Sequence, residues 1–438
     1  MAQPEHSRLS ECSTAELGGG IHYRIKRPTI ALAYEDNHQV AVTLPVGKMM
    51  DVVSRAEDDR FLVYPAIRWS LSHLRDLAPT IPVSRGSAAP DDPDRAPAPV
   101  QDGLDAMTFT DLDGHGRTWR ASLEDTYTDG ILVLHRGRCL YERYFGALKP
   151  DLPHACFSVT KSYVATLAAA LVHEGVLEDE KPVSHYLPEL AGSAFADAAV
   201  REVMDMQVGI AYTEVYADPN TGFWTYSRAA GLRPQIPGAT GPRNLRDYLK
   251  SLRKQGDHGA AFAYKTVNTD VLCWVMSRIC GETLSCMLSR RIWSKIGCEQ
   301  DANLVVDPNG VEMAGAGLSA SLRDLAKFGE LMRCEGSWGS AQLIPAPVVE
   351  DIQRGSDPRK FAGAGYTLLT GYSYRSMWWN SHNEFGVFEA RGIHGQRLYI
   401  APKADLVIAR FASHPTASNA ANDVITLPAF LALAKYLT

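Results

Sequence analysis

The 438-residue chain carries eight cysteines and no C-x-x-C pair among them. They stand singly at Cys12, Cys139, Cys156, Cys273, Cys280, Cys286, Cys298 and Cys334. Structural zinc sites usually show such pairs, so these read as free, mostly buried thiols. No stretch approaches the ~18 uninterrupted apolar residues of a membrane span. The opening MAQPEHSRLS lacks a basic segment followed by an apolar one, so a secretory signal is not expected and a cytoplasmic location is. There is no basic run. Lys plus Arg is 44 against 50 for Asp plus Glu, a formal net charge of −6. That balance argues against nucleic acid and against an anionic membrane as partners. No internal repeat is present, which excludes solenoids and propellers. The chain also lacks G-x-S-x-G, H-E-x-x-H, a Walker A loop and a G-x-G-x-x-G after a strand. His173-Glu174 has no partner histidine at metal spacing. No metal ion or organic cofactor is implied.

What is present is ordinary for a globular protein: 45% hydrophobic and 21% charged residues. Such a chain buries a large core without staples. Residues 1–105 read as an N-terminal extension ending in a strap rich in Pro, Ala and Asp (Ala78–Gly103). Within it, Thr29–Tyr34 and Val40–Leu44 are candidate strands, and Phe61–Leu77 is a helix or a packed arm. Residues 106–438 read as the main domain, with an α/β part at about 106–180 and 320–438 and a helical part at about 181–319. Ile131–His135 and Cys139–Phe145 form a predicted hairpin across Arg136-Gly137-Arg138. Ser158–Gly175 has helical spacing and a glycine stop. Arg397–Ala401 and Leu406–Ala412 make a second hairpin, and a helix over Asp423–Tyr436 follows. Strands at both ends with a helical middle predict an α+β fold, an antiparallel sheet flanked by helices and carrying a helical insertion.

The chemistry centres on Ser158-Val159-Thr160-Lys161, an S-x-x-K. Residues i and i+3 share a helix face, ~5–6 Å apart at Cβ. Serine needs a base, and lysine serves as one when burial or a second cation lowers its pKa. Ser251-Leu252-Arg253-Lys254 repeats the pattern, but in the charged run RDYLKSLRKQGD, and reads as a solvated helix face. Ser158 instead opens an apolar helix, where free backbone N–H groups point at the hydroxyl. The alternative is that Ser158 only caps the helix and Lys161 lies on the surface. Tyr264, at the approach to the helix Val271–Ile279, is placed to share a proton with Lys161; the alternative is a ring packed under that helix. Glu389–Gln396 (EARGIHGQ) reads as a glycine-containing edge strand that offers an oxyanion a backbone N–H. His394 there reads as a structural or substrate-side histidine rather than a triad base.

Together these features resemble the serine β-lactamase and penicillin-binding protein superfamily. More narrowly, the chain resembles the 6-aminohexanoate-dimer (nylon-oligomer) hydrolases and related esterases. The resemblance is carried by FSVTKS (Phe157–Ser162), PVSHYLPELAG (Pro182–Gly192), MDMQVGIAYTEVY (Met204–Tyr216) and YKTVNTDVLCW (Tyr264–Trp274). SASLRDLAKF (Ser319–Phe328), Trp378-Trp379 and GIHGQ (Gly392–Gln396) complete it. It runs in order through residues 120–438. It implies a serine β-lactamase-like fold, with Ser158 as the acylated nucleophile and Lys161 with Tyr264 handling its proton. It implies an oxyanion hole from the N–H groups of Ser158 and Ile393, and substrate contacts at Tyr216 and Trp379. Two departures stand out: Thr266 replaces the asparagine of the β-lactamase tyrosine motif, and Ala390-Arg391-Gly392 replaces Lys-Thr-Gly, with Arg391 as a partial stand-in for the lysine. Ser227 and Gly315 are small where relatives carry polar side chains that help amide substrates. The expected activity is a serine hydrolase acting through an acyl-enzyme on carboxylic esters and small linear amides. An acyltransferase or a catalytically silent binding protein on the same scaffold are the alternatives. The expected partner is a small-molecule ester or amide, with homodimer formation left open.

Overall fold

The computed structural model describes residues 60–91 and 95–438. The candidate strands at Thr29–Tyr34 and Val40–Leu44, and Cys12, lie outside the described residues. In chain order the strands are β1 (Thr80–Val83), β2 (Thr108–Thr110), β3 (Gly116–Thr118), β4 (Thr128–His135), β5 (Arg138–Tyr144), β6 (His154–Ala155), β7 (Ala302–Val305) and β8 (Leu318–Ala320). They continue with β9 (Ser337–Trp338), β10 (Ala341–Gln342), β11 (Ser373–Arg375), β12 (Trp378–Asn380), β13 (Phe388–Gly392), β14 (Gln396–Ala401) and β15 (Leu406–Ala412). Four helices frame the site: α1 (Val159–His173), α2 (Val267–Cys280), α3 (Leu322–Arg333) and α4 (Ala420–Leu437).

The main sheet has seven strands in the order β11-β12-β13-β14-β15-β4-β5. Every neighbouring pair is antiparallel. Side chains alternate across a strand, and here both faces are covered. Ile131 and Val133 of β4 and Ile408 of β15 join a core with Phe430 and Leu433 of α4. Leu132, Leu134, Val407, Ala409 and Phe411 point the other way, into the larger core with α1 and α3. This is why both runs read as continuous apolar stretches in the sequence. The two predicted hairpins and the closing helix form, and the α+β architecture is the one expected.

A smaller sheet runs β1-β7-β8-β6. Its edge strand β1 comes from the Pro-rich segment and pairs antiparallel with β7. Pro82 is tolerated there because an edge strand has one unpaired side. The Phe61–Leu77 segment forms three short helical turns, and its Phe61, Ile67, Leu71 and Leu74 are buried. The Leu71 carbonyl accepts the Ala155 N–H at 2.8 Å, so this arm braces β6.

Helix α1 is buried from Val159 to Leu171. A helix apolar all round belongs inside a protein. It lies between the β13–β14 part of the sheet and α2. Among the described residues, no single helix is long and apolar enough to cross a membrane.

Candidate active site

β6 leads directly to Ser158. The Cys156 N–H donates to the Leu318 carbonyl at 2.8 Å, which fixes the chain just before the serine. Phe157 then takes a positive φ of 45°. A bulky residue in the left-handed region is strained, and such strain is held where surrounding structure over-determines it. Ser158 makes no side-chain cap bond to α1. One turn along, Lys161 Nζ lies 2.8 Å from Ser158 Oγ and donates to the Gly315 carbonyl at 2.5 Å. Lys161 is 1% exposed. Neither the capping role for Ser158 nor a surface position for Lys161 describes this geometry.

Gly315 is required there. A Cβ on it would sit 2.4 Å from Thr266 Cγ2 and 2.5 Å from Tyr226 Oη. Its N–H donates to Asp270 Oδ1 at 3.1 Å. Ser227 is fully buried and donates to the Trp224 carbonyl at 3.0 Å. Neither is among the residues that line the cleft, and both are tightly packed.

Tyr264 reaches the same point from the approach to α2. The Ser158 side chain acts on the Tyr264 hydroxyl, and both residues line the same cleft. Lys161 Nζ lies 5.2 Å from its ring centroid, and the ring packs 5.5 Å from that of Trp379. The electrostatics divide the two groups. Burial pushes the Lys161 ammonium down to about 8, while the carboxylates of Glu214 and Asp270 pull it back up. Burial, with Glu214 beside it, pushes the Tyr264 phenol well above its ordinary value. Tyr264 is therefore a proton donor near neutrality, and Lys161 is the group that loses its proton within reach of physiological pH. Thr266 holds Glu214 in place, its N–H donating at 2.7 Å and its hydroxyl also bonding that carboxylate.

These groups open into a cleft of ≈ 210 Å³ lined by Ser158, Tyr264, Tyr216, Trp379, Tyr366 and Ile393, among others. Strand β13 is the third of seven and not an edge, because the β11–β12 hairpin pairs on its outer side. Its end still reaches the serine: a Cβ on Gly392 would lie 2.6 Å from the Cys156 carbonyl. The N–H groups of Ser158 and Ile393 donate to no backbone carbonyl among the described residues. Asn419 of the loop before α4 braces this turn, donating to the Gly392 carbonyl at 3.0 Å and accepting the Gly395 N–H at 3.1 Å.

Trp379 forms the aromatic wall with Tyr366 and Tyr374, each 5.1 Å away between centroids. Tyr216 lines the cleft and donates to Glu214 Oε1 at 3.3 Å. His394 is elsewhere. It is buried behind Ile393, its Nδ1 is 2.7 Å from the His414 carbonyl, and its ring packs 5.7 Å from Phe157. Of its two expected roles, this position matches the structural one, and His394 is not among the residues that line the cleft. Arg391 is also spoken for. It lines the cleft but is bound by Glu389 at 2.9 Å and by Asp423. It is therefore not a free stand-in for a carboxylate-binding lysine.

The second S-x-x-K does not assemble. Ser251 donates to the Tyr248 carbonyl at 2.6 Å, and the exposed Lys254 pairs with Asp197. Sequence reasoning missed Glu214, Asp270, Asn419 and Asp423. Asp270 lay within the quoted YKTVNTD stretch, but no local spacing signals its proximity to Lys161.

The chain matches the Beta-lactamase family over residues 120–427. A 6-aminohexanoate-dimer hydrolase from Paenarthrobacter ureafaciens is 36% identical over 352 residues, 80% of this chain and 86% of that one. A solved structure from Bacillus anthracis, assigned to the 6-aminohexanoate-dimer hydrolases, superposes with a TM-score of 0.77 at 31% identity, covering 86% of this chain and 96% of the other. A family VIII carboxylesterase shares the fold at a TM-score of 0.54 and 16% identity, over 72% of this chain and 95% of its own. The family match spans the strand, helix and turn that converge on Ser158, and the chain belongs to the beta-lactamase family, as a hydrolase of that fold related to the 6-aminohexanoate-dimer hydrolases.

Proposed function

We propose that the protein hydrolyses carboxylic esters and small linear amides through an acyl-enzyme on Ser158. The observation that carries this is the 2.8 Å contact between Ser158 Oγ and a buried lysine whose pKa burial lowers to about 8. In its neutral form Lys161 takes the Ser158 proton as Oγ attacks the carbonyl carbon. The oxyanion is held by the N–H groups of Ser158 and Ile393, a kind of contact worth about 10²–10³ in rate per donor. Tyr264, kept protonated, gives its proton to the leaving alkoxide or amine and recovers one from the Lys161 ammonium. Water then attacks the acyl-enzyme, releases the carboxylic acid and returns the proton to Ser158.

The cleft supports this substrate class. Its aromatic wall suits apolar acyl chains. Arg391 is the cation among the described residues lining the cleft, and its pairing with Glu389 and Asp423 disfavours β-lactams, which need one for their carboxylate. Esters are the fastest substrates, since an alkoxide leaves more readily than an amine. The 36% identity to a 6-aminohexanoate-dimer hydrolase supports linear amides as the second class.

The test is intact-mass spectrometry after a p-nitrophenyl ester or a fluorophosphonate, on wild type, Ser158→Ala and Ser251→Ala. An adduct lost only in Ser158→Ala is expected. A folded wild type that takes no adduct would return the protein to the binding-protein alternative.

A further inference from the structure

Asp270 is joined to the reacting atoms through one residue, Gly315, which is hydrogen-bonded on both sides of its Cα. It lies in the first turn of α2, 5% exposed. Its Oδ2 accepts the Tyr226 hydroxyl at 2.7 Å, and its Oδ1 accepts the Gly315 N–H at 3.1 Å. The carbonyl of that same Gly315 accepts Lys161 Nζ at 2.5 Å, and Lys161 meets Ser158 at 2.8 Å. Gly315 has no side chain to hold it, and none fits. Its N–H and its carbonyl belong to successive peptide units that share one Cα, and the bond to Asp270 anchors that Cα beside Lys161.

We propose that Asp270 is a positioning residue for the hydrolase: it anchors Gly315, whose carbonyl accepts the Lys161 ammonium, and supplies a buried carboxylate to the same network. This rests on the reading of Ser158 as nucleophile. Lys161 is faced by Ser158, Tyr264, Glu214, Asp270 and the Gly315 carbonyl. Asp270 is faced by Tyr226, Lys161 and the amides of Gly315 and Ala314. On its far side it lines a second cavity of ≈ 240 Å³ with Arg246, Cys273, Trp274, Glu282 and Glu312. Arg246 is stacked over Trp274 at 5.1 Å, and Glu312 accepts the Leu284 and Ser285 amides. Burial raises the Asp270 carboxyl to about 6, so it is still anionic where Lys161 begins to lose its proton at about 8.

An acidic residue in the first turn of a helix is also stabilising through the helix dipole, a purely structural role. The two roles separate by pH. Asp270→Asn keeps an acceptor for the Gly315 N–H and deletes the charge. Lys161 then loses a counter-charge, its pKa falls, and the acidic limb of Ser158 acylation moves to lower pH by roughly 1 unit. Tyr226→Phe keeps the charge and removes a donor that partly offsets it, so the limb moves the other way, by less.

The experiment measures the second-order rate of Ser158 labelling by a fluorophosphonate against pH, for wild type, Asp270→Asn and Tyr226→Phe, with thermal unfolding in parallel. A downward shift of the limb in folded Asp270→Asn and a smaller upward shift in Tyr226→Phe are expected. An Asp270→Asn protein that folds and labels with the wild-type limb overturns the proposal. If that variant does not fold, an unmoved limb in Tyr226→Phe does so. Wild type that takes no label overturns the hydrolase reading itself, and this inference with it.

Discussion

Lys161 Nζ lies 2.8 Å from Ser158 Oγ, one helical turn along α1, with both residues buried. Helix geometry brings the two side chains to one face. The burial that makes the serine accessible only from the cleft also makes the lysine charge costly. One feature of the fold thus places both members of the proposed nucleophile–base pair.

The pH profile follows from that charge. Below its pKa Lys161 is protonated and cannot accept the Ser158 proton. kcat/KM for an ester should therefore rise with pH and level off above about 8. Lys161→Met should lower kcat/KM by about 10²–10⁴-fold and abolish this limb. Stopped-flow rates on an ester whose leaving group does not titrate in this range would check both; a flat profile in wild type would contradict the assignment.

Tyr264→Phe keeps the ring against Trp379 and removes the hydroxyl. Its expected cost is about 10²-fold. Because an amine must be protonated to leave and an alkoxide needs it less, amide hydrolysis should fall further than ester hydrolysis. The Lys161 limb should stay in place. Paired kinetics on an ester and an amide of the same acyl group give the ratio; equal losses would remove Tyr264 from the leaving-group step.

Gly315→Ala places a methyl 2.4 Å from Thr266 Cγ2 and 2.5 Å from Tyr226 Oη. Overpacking of this kind costs about 1–3 kcal/mol. The midpoint of thermal unfolding should fall, and Ser158 labelling should slow, since the displaced carbonyl is the one that holds Lys161. A stable variant with wild-type labelling would show that the backbone gives way harmlessly.

Arg391, Arg397, Glu389 and Asp423 form a buried four-charge cluster beside the cleft. Removing one partner of such a group leaves charges uncompensated, about 3–5 kcal/mol. Arg391→Met should destabilise by that order in denaturant titration. Burial alone would raise the Asp423 carboxyl, but Arg391 and Arg397 overcome it and hold the group below its ordinary value of 3.8. A depressed carboxylate adds stability that is present above its unfolded pKa and lost as pH falls through the folded one. Wild type should therefore lose stability below pH 3.8, and Arg391→Met should lose less over the same range.

The sequence by itself determined the features that depend on near neighbours. Continuous apolar, β-rich runs in β4 and β15 specify strands, and the helical spacing after Ser158 with the glycine stop at Gly175 specifies a helix. The three-residue interval between Ser158 and Lys161 is of the same kind. The sequence separated the two S-x-x-K copies by context, an apolar helix after Ser158 against a charged run at Ser251, but could not say whether either lysine would meet its serine. Tertiary packing decided that, burying Lys161 and leaving Lys254 to pair with Asp197 at the surface. Packing also turned His394 away from the cleft and neutralised Arg391 between two carboxylates. Above all it brought Gly315 to Lys161 across 154 residues of chain. Contacts of that span follow from how whole layers stack, and no local pattern of residue types encodes them.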